Sequence, residues 1–222
     1  MKMKKYKALI TDFDLTIADT APLIEECLYM SAARFGYDLD RKILRRGIGA
    51  TAESIYLDAG VSADEAKRLH DEYISYSAPI MLEKTEFFDG VKEGLRELHS
   101  RGILLAVLSL KVSHQIWIPL RRAGIDGYIN SVISPDEVSA LKPAPDGIYY
   151  ISEKAGIALE DILYVGDSVT DMKTALNAGV DFAAICEGAV SAEEFAEMGA
   201  GMIYPSFADM CRALTASSDM PL

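Results

Sequence analysis

Cysteine is scarce in this 222-residue chain, and Cys27, Cys186 and Cys211 are widely scattered, with no Cys-x-x-Cys and no Cys/His metal spacing. That sets aside a disulfide framework and a thiolate metal site as organising features. Of the three histidines, His70 and His99 fall on predicted helices and carry no signal, and His114 reads as an ordinary helix residue beside Lys111. No apolar run approaches the roughly 18 residues that a membrane helix needs. The basic stretch Met1-Lys2-Met3-Lys4-Lys5 is followed by too short an apolar segment for a signal peptide, so a cytoplasmic protein is expected. Positive charge is also short: 22 Lys and Arg against 34 Asp and Glu give a net charge of -12. Such a balance argues against nucleic acid and anionic membranes as partners.

Hydrophobic residues make up 50% of the chain, enough to bury a full core. Apolar runs that read as strands occur at Ala8–Ile10, Ile103–Leu108, Ile129–Ile133, Ile162–Val165, Phe182–Ile185 and Met202–Tyr204. Helix-period segments separate them: Val91, Leu95 and Leu98 share one face, as do Ile116, Leu120 and Ala123, then Met172, Ala175 and Leu176. Alternating β and α elements predict an α/β fold, a parallel sheet covered on both faces. One stretch departs from the alternation. From about Ala18 to Lys84 the pattern is helical with no convincing strand, which reads as an α-helical cap inserted after the first strand. The expected division is a core of residues 1–17 and 85–222 and a cap of 18–84, with hinges near Ala18–Pro22 and Leu82–Phe88. The tail from Ala216 to Leu222 is expected to fray.

Two of the strands end in acids. Ala8–Ile10 runs into Asp12 and Asp14, and Ile162–Val165 runs into Gly166-Asp167-Ser168 with Asp171 beyond. In open parallel sheets the carboxyl edge of the strands is where ligands bind. Carboxylates from both ends of one domain suggest a site for a hard cation such as Mg²⁺, with Asp12, Asp167 and a backbone carbonyl at Asp14 as oxygen donors. Asp12 suits a nucleophile that forms an aspartyl-phosphate, and Asp14, two residues on, suits proton transfer to the leaving group. Asp171 would orient a water or a ligand, while Asp167 and Ser168 can alternatively serve as a helix N-cap. Ser109 ends the run Ile103–Leu108, where a hydroxyl and neighbouring N–H groups can hold phosphate oxygens. Lys142, held in Leu141-Lys142-Pro143-Ala144-Pro145, can balance the crowded carboxylates.

Taken together, Asp12-x-Asp14-x-Thr16, Ser109, Lys142-Pro143-x-Pro145 and Gly166-Asp167-Ser168-x-x-Asp171 resemble, in order and spacing, the four motifs of the haloacid dehalogenase superfamily. The resemblance implies a Rossmann-like core, Mg²⁺ dependence and an aspartyl-phosphate intermediate. It implies Asp12 as nucleophile, Asp14 as general acid/base, and Thr16, Ser109, Leu110 and Lys142 as phosphate-positioning residues. Asp12, Asp14 and Asp167 would bind the metal, with Ser168 and Asp171 in support. The insertion resembles the small cap of the phosphoglycolate phosphatase-like and β-phosphoglucomutase-like subgroups, and Phe88-Asp89-Gly90-Val91 and Ser109-Leu110-Lys111 resemble the phosphatase group.

The chain departs from the usual DxDGT at Leu15, which replaces the glycine. The second acid, Asp14, favours phosphate-ester chemistry over dehalogenation. The expected activity is hydrolysis of a small phosphorylated metabolite, phosphoglycolate-like first, by a monomer or homodimer. A phosphomutase of the β-phosphoglucomutase type is the second reading, although its Glu-Asp pair is Gly166-Asp167 here. A phosphorylatable signalling module is the third, disfavoured by the length, the cap and the early position of the nucleophile. In the cap, Arg45-Arg46-Gly47-Ile48-Gly49 is either a loop that closes over an anionic leaving group or a solvated turn. Trp117, Tyr73 and Tyr76 read as packing residues.

Overall fold

The computed structural model describes residues 4–188 and 190–216. Strands β1 (Ala8–Thr11), β4 (Leu104–Leu108), β5 (Ser131–Ile133), β6 (Ile162–Gly166), β7 (Asp181–Ile185) and β8 (Met202–Tyr204) form one six-stranded sheet in the order β5-β4-β1-β6-β7-β8. Every neighbouring pair in it is parallel. A parallel sheet carries helices on both faces, so its central strands are apolar throughout; β1 and β6 are buried at every position. Side chains alternate across the strands. Leu9, Val107, Leu163 and Val165 enter one apolar cluster, while Ala8, Ile10, Ala106, Leu108 and Tyr164 enter the cluster on the other face.

A third cluster, built on Leu28, Leu44, Tyr56 and Leu69, lies among helices α1 (Ala21–Ala33), α2 (Arg41–Arg46), α3 (Ala52–Asp58) and α4 (Ala63–Lys84). These helices follow a two-residue strand β2 (Ala18–Asp19), and they precede another, β3 (Glu86–Phe87), with which it pairs antiparallel. The two chain crossings between the helical layer and the sheet are thus joined as one narrow ribbon. The remaining helices are α5 (Val91–Ser100), α6 (His114–Ala123), α7 (Asp146–Ala155), α8 (Val169–Ala178), α9 (Ala192–Glu197) and α10 (Phe207–Ala216). Arg122 of α6 donates to the backbone carbonyls of Leu82, Glu83 and Thr85, which fastens the second crossing to the core. The fraying expected of the tail falls, beyond Ala216, outside the described residues.

Leu15 has φ 60°, the one non-glycine residue with positive φ among the described residues. The family's usual glycine at this place therefore has a backbone reason, because only glycine adopts that conformation at no steric cost. Leucine is kept there by its side chain, which is 4% exposed and packs in the helical cluster with Ile24 and Leu28. The left-handed backbone costs roughly 1 kcal/mol, whereas emptying a buried leucine site costs roughly 2–5 kcal/mol. Packing wins, so Leu15→Gly is expected to lower the thermal midpoint by several degrees despite restoring the family motif. A calorimetric scan checks this; a higher midpoint in the glycine variant would mean that backbone strain outweighs packing.

Candidate active site

The acids of β1 and β6 meet at the carboxyl edge of the sheet because the two strands are adjacent and in parallel register, Ile10 opposite Tyr164 and Thr11 opposite Val165. The Asp12 N–H donates to the Val165 carbonyl at 2.8 Å, extending that pairing to the first acid. At this edge the chain passes from β1 to β4 on one side and to β6 on the other, the kind of reversal at which open α/β sheets bind ligands.

Lys142 is the hub. Its ammonium lies 2.9 Å from Asp12 Oδ2 and 2.8 Å from Asp171 Oδ1, and its side chain is 2% exposed. Asp12 Oδ1 accepts from the Phe13 N–H at 2.7 Å. Tyr164 also donates to Asp171 Oδ1, at 2.9 Å, and the Ser168 hydroxyl to Asp171 Oδ2, at 2.5 Å. Ser168 and Asp171 form a reciprocal capping box at the start of α8. Of the two residues that could cap α8, Ser168 does so; capping fixes Asp171, and Asp171 holds the lysine. Both oxygens of the Asp171 carboxylate accept hydrogen bonds from protein groups, Lys142 and Tyr164 on Oδ1 and Ser168 on Oδ2.

Asp12, Asp167 and Asp171 each bring a carboxylate oxygen to within 4.8 Å of the others. Burial pushes the Asp12 carboxyl up to about 7; Lys142 opposes this, while Asp171 and Asp14 add to it. Asp167 is raised well above the ordinary range by burial, then by Asp171 and Asp12. Burial pulls Lys142 down, but Asp12 and Asp171 outweigh it and leave the ammonium firmly protonated. One lysine cannot compensate three buried acids, so burial holds Asp12 and Asp167 back from ionising, and these hard oxygen donors fit a divalent cation. Gly188 keeps room for Asp167, since a Cβ there would lie 2.1 Å from Asp167 Oδ2.

Asp14 has a separate set of partners. Its Oδ1 lies 2.9 Å from Lys111 Nζ and accepts from the Thr20 hydroxyl at 2.7 Å. The Asp14 carboxylate therefore sits outside the Asp12, Asp167 and Asp171 group. Thr16 differs from the expectation that it holds phosphate. It is wholly buried, and its hydroxyl donates to Asp167 Oδ1 at 2.8 Å. Its hydroxyl thus positions an acid.

A cavity of about 130 Å³ opens between the sheet edge and the helical layer, with Asp12, Asp14, Ser109, Leu110, Lys111 and Lys142 on the sheet side. From the helical layer come Ile24, Leu28, the segment Ile48–Ala52, Ile55, His70, Tyr73 and Ile74. Arg45, Arg46 and Gly47 are outside this lining. Leu44 and Ile48 are buried one helical turn apart, so the intervening arginines of α2 face solvent. Arg45 lies 3.5 Å from Glu25, and a Cβ on Gly47 would meet Ile55 at 2.7 Å. The next glycine, Gly49, comes close to the core: a Cβ there would lie 3.0 Å from Ser168 Cβ. Sequence reasoning missed His70 and gave Tyr73 only a packing role, although positions 70, 73 and 74 share one helix face. Only the seating of that face over the sheet edge reveals their place in the cavity.

The family model described as haloacid dehalogenase-like hydrolase matches residues 9–185, a span that holds every acid of this cluster together with Lys142. The chain belongs to that hydrolase family. Among its relatives, a phosphoglycolate phosphatase from Nitrosospira multiformis is 27% identical over 220 residues, covering 96% of this chain and 97% of that protein. An N-acetylmuramic acid 6-phosphate phosphatase from Pseudomonas aeruginosa is 27% identical over 198 residues, covering 87% and 88%. The crystal structure of a haloacid dehalogenase-like hydrolase from Bacteroides fragilis superposes with a TM-score of 0.86 at 30% identity, covering 93% of this chain and all of that one. Family members share the Rossmann-like core, and this chain has it: a parallel six-stranded sheet with helices. No helix among the described residues is long and apolar enough to cross a membrane.

Proposed function

We propose that the protein is a Mg²⁺-dependent phosphatase that hydrolyses a small phosphorylated metabolite in the cytoplasm through an aspartyl-phosphate on Asp12. The single observation that carries this reading is the buried contact of Asp12 Oδ2 with Lys142, at 2.9 Å, on the wall of a cavity that Asp14 also lines. A carboxylate in that place is oriented by two donors, the Phe13 N–H and the Lys142 ammonium, and faces the cavity beside a second acid.

In the first step an oxygen of Asp12 bonds to phosphorus, the bond from phosphorus to the ester oxygen breaks, and Asp14 gives that oxygen a proton. In the second step Asp14 takes a proton from water, the water oxygen bonds to phosphorus, and phosphate leaves with Asp12 restored. Lys142 keeps a third N–H beyond those on Asp12 and Asp171, suited to a phosphoryl oxygen. Ser109 and the backbone at Leu110 line the same wall and suit the other phosphoryl oxygens. Thr16, Ser168 and Asp171 hold the acids and the lysine in place. A divalent cation held by Asp12, Asp167 and the Asp14 carbonyl would neutralise charge on the transferring group. The helices from α1 to α4 act as a cap that keeps bulk water from the site.

Phosphoglycolate is the first substrate to try, since several relatives carry that name. The mutase reading is weaker. A Cβ on Gly166 would lie 2.4 Å from Asp171 Cβ, so the glutamate of the mutase motif has no room in this loop.

The test is phosphate release from a panel of small phosphomonoesters, with Mg²⁺ or with EDTA. Turnover that requires Mg²⁺ is expected for at least one member. A folded, Mg²⁺-loaded protein inert toward all of them would contradict the proposal.

A further inference from the structure

The acids and lysines account for the phosphorus end of the cavity and leave its far end, in the helical layer, without an assigned role. That end is largely apolar, walled by Ile24, Leu28, Ile55 and Ile74. Three polar side chains interrupt it. Thr51 accepts the Ser54 N–H at its hydroxyl as the cap of α3, and Tyr73 sits one helical turn before Ser77. The third is His70, whose Nδ1 is buried with no hydrogen-bond partner among the described residues. Nδ1 itself is enclosed, but the ring lines the cavity, and an imidazole that no protein group holds there is open to a partner that arrives with a ligand. The charged groups near it are committed: Lys142 to Asp12 and Asp171, Lys111 to Asp14.

We propose, on the basis of the phosphatase reading, that His70 selects the substrate by hydrogen-bonding an oxygen at the end of the leaving group remote from phosphorus. The ligand class that fits is a phosphomonoester of a short, mainly carbon alcohol with one such oxygen. Cavity size sets the scale. At about 130 Å³ it is close to the roughly 150 Å³ that takes up benzene in a dry protein cavity. Part of that space belongs to the phosphoryl group at Asp12, which leaves room for a leaving group of a few carbons. His70 acts on recognition and touches neither the nucleophile nor the acid/base in the described contacts.

The experiment compares phosphoglycolate, 2-hydroxyethyl phosphate and propyl phosphate as substrates of the wild type, His70→Leu and His70→Asn, with Mg²⁺ present. These esters end in a carboxylate, a hydroxyl and a methyl group, so they also show which oxygen is read. The wild type is expected to prefer at least one oxygen-bearing ester over propyl phosphate by about tenfold or more in kcat/KM. His70→Leu is expected to erase that preference, mainly through KM. His70→Asn, which keeps a polar side chain at this position, is expected to keep part of it, and it decides the matter should leucine unfold the helical layer. A wild type without the preference, or variants that slow all three esters by one common factor, would overturn the role of His70 and leave the phosphatase reading standing. Failure of the wild type on every ester would overturn both.

Discussion

Asp12→Asn is expected to lower Mg²⁺-dependent phosphate release by at least about 10⁴-fold, the scale seen when an enzyme loses a residue that acts directly in bond making. The amide has the shape of the carboxylate and still accepts from the Phe13 N–H, so the loop after β1 has no reason to move. What it loses is the lone-pair basicity that attacks phosphorus. Stability should not fall with activity. Burial already pushes the Asp12 carboxyl up to about 7, so a neutral group at this position removes a penalty in the metal-free protein. Lys142 remains paired through Asp171. The expected signature is an inactive protein whose metal-free thermal midpoint is unchanged or higher, with a smaller rise on adding Mg²⁺. Release within tenfold of the wild type would remove Asp12 from the chemistry.

Lys142→Met is expected to damage stability and activity together. The lysine is 2% exposed at its side chain and is held by two acids, 2.9 Å and 2.8 Å away. Removing one side of a buried charge cluster is strongly destabilising, roughly 3–5 kcal/mol, because the remaining charges are left uncompensated. Proton uptake by Asp12 relieves part of this, so about 3 kcal/mol is expected. For a chain of this size that is about 6–12 °C in the thermal midpoint. Mg²⁺ should restore part of it by supplying the missing positive charge. Activity depends on the same ammonium. A unit-charge pair near 4 Å at an effective dielectric of about 20 is worth roughly 4 kcal/mol, so a loss near 10³-fold in kcat is expected even with Mg²⁺ saturating. Thermal scans with and without Mg²⁺, beside kcat for the same preparations, check both. Full stability without metal would show that Lys142 is not the counter-charge to the acids.

The sheet was legible because its signal is local. Runs such as Leu163-Tyr164-Val165 are apolar at every position, as a strand buried on both faces requires, and the glycine-punctuated helical segments between them leave parallel pairing as the natural arrangement. The gathering of Asp12, Asp14, Asp167 and Asp171 at one edge was readable from strand ends and spacing, and Lys142 joined them through the resemblance to the family's motifs. Other features depend on how distant segments sit against one another. The β2–β3 ribbon has two residues per strand, too few for any pattern to register. Arg45 and Arg46 look like anion ligands in sequence, but the burial of Leu44 and Ile48 turns them outward. Thr16 reads as a phosphate residue until the fold of its loop places the hydroxyl on Asp167. His70 carries no sequence signal because its role, on the reading above, comes from the face of α4 that happens to meet the sheet edge. Leu15 was visible as a departure from the family motif, yet its cause, a positive φ offset by burial in the helical cluster, is a property of the folded chain.

The central claim is that a phosphoryl group passes through Asp12. It is tested most directly by mixing enzyme in excess with a turned-over ester and Mg²⁺, quenching within the first turnover, reducing acyl phosphates with borohydride and mapping the product by mass spectrometry. The account predicts homoserine at position 12 in the wild type and none in Asp12→Asn. Rapid phosphate release with no reduced residue at position 12, or with the reduction at another acid, would contradict it.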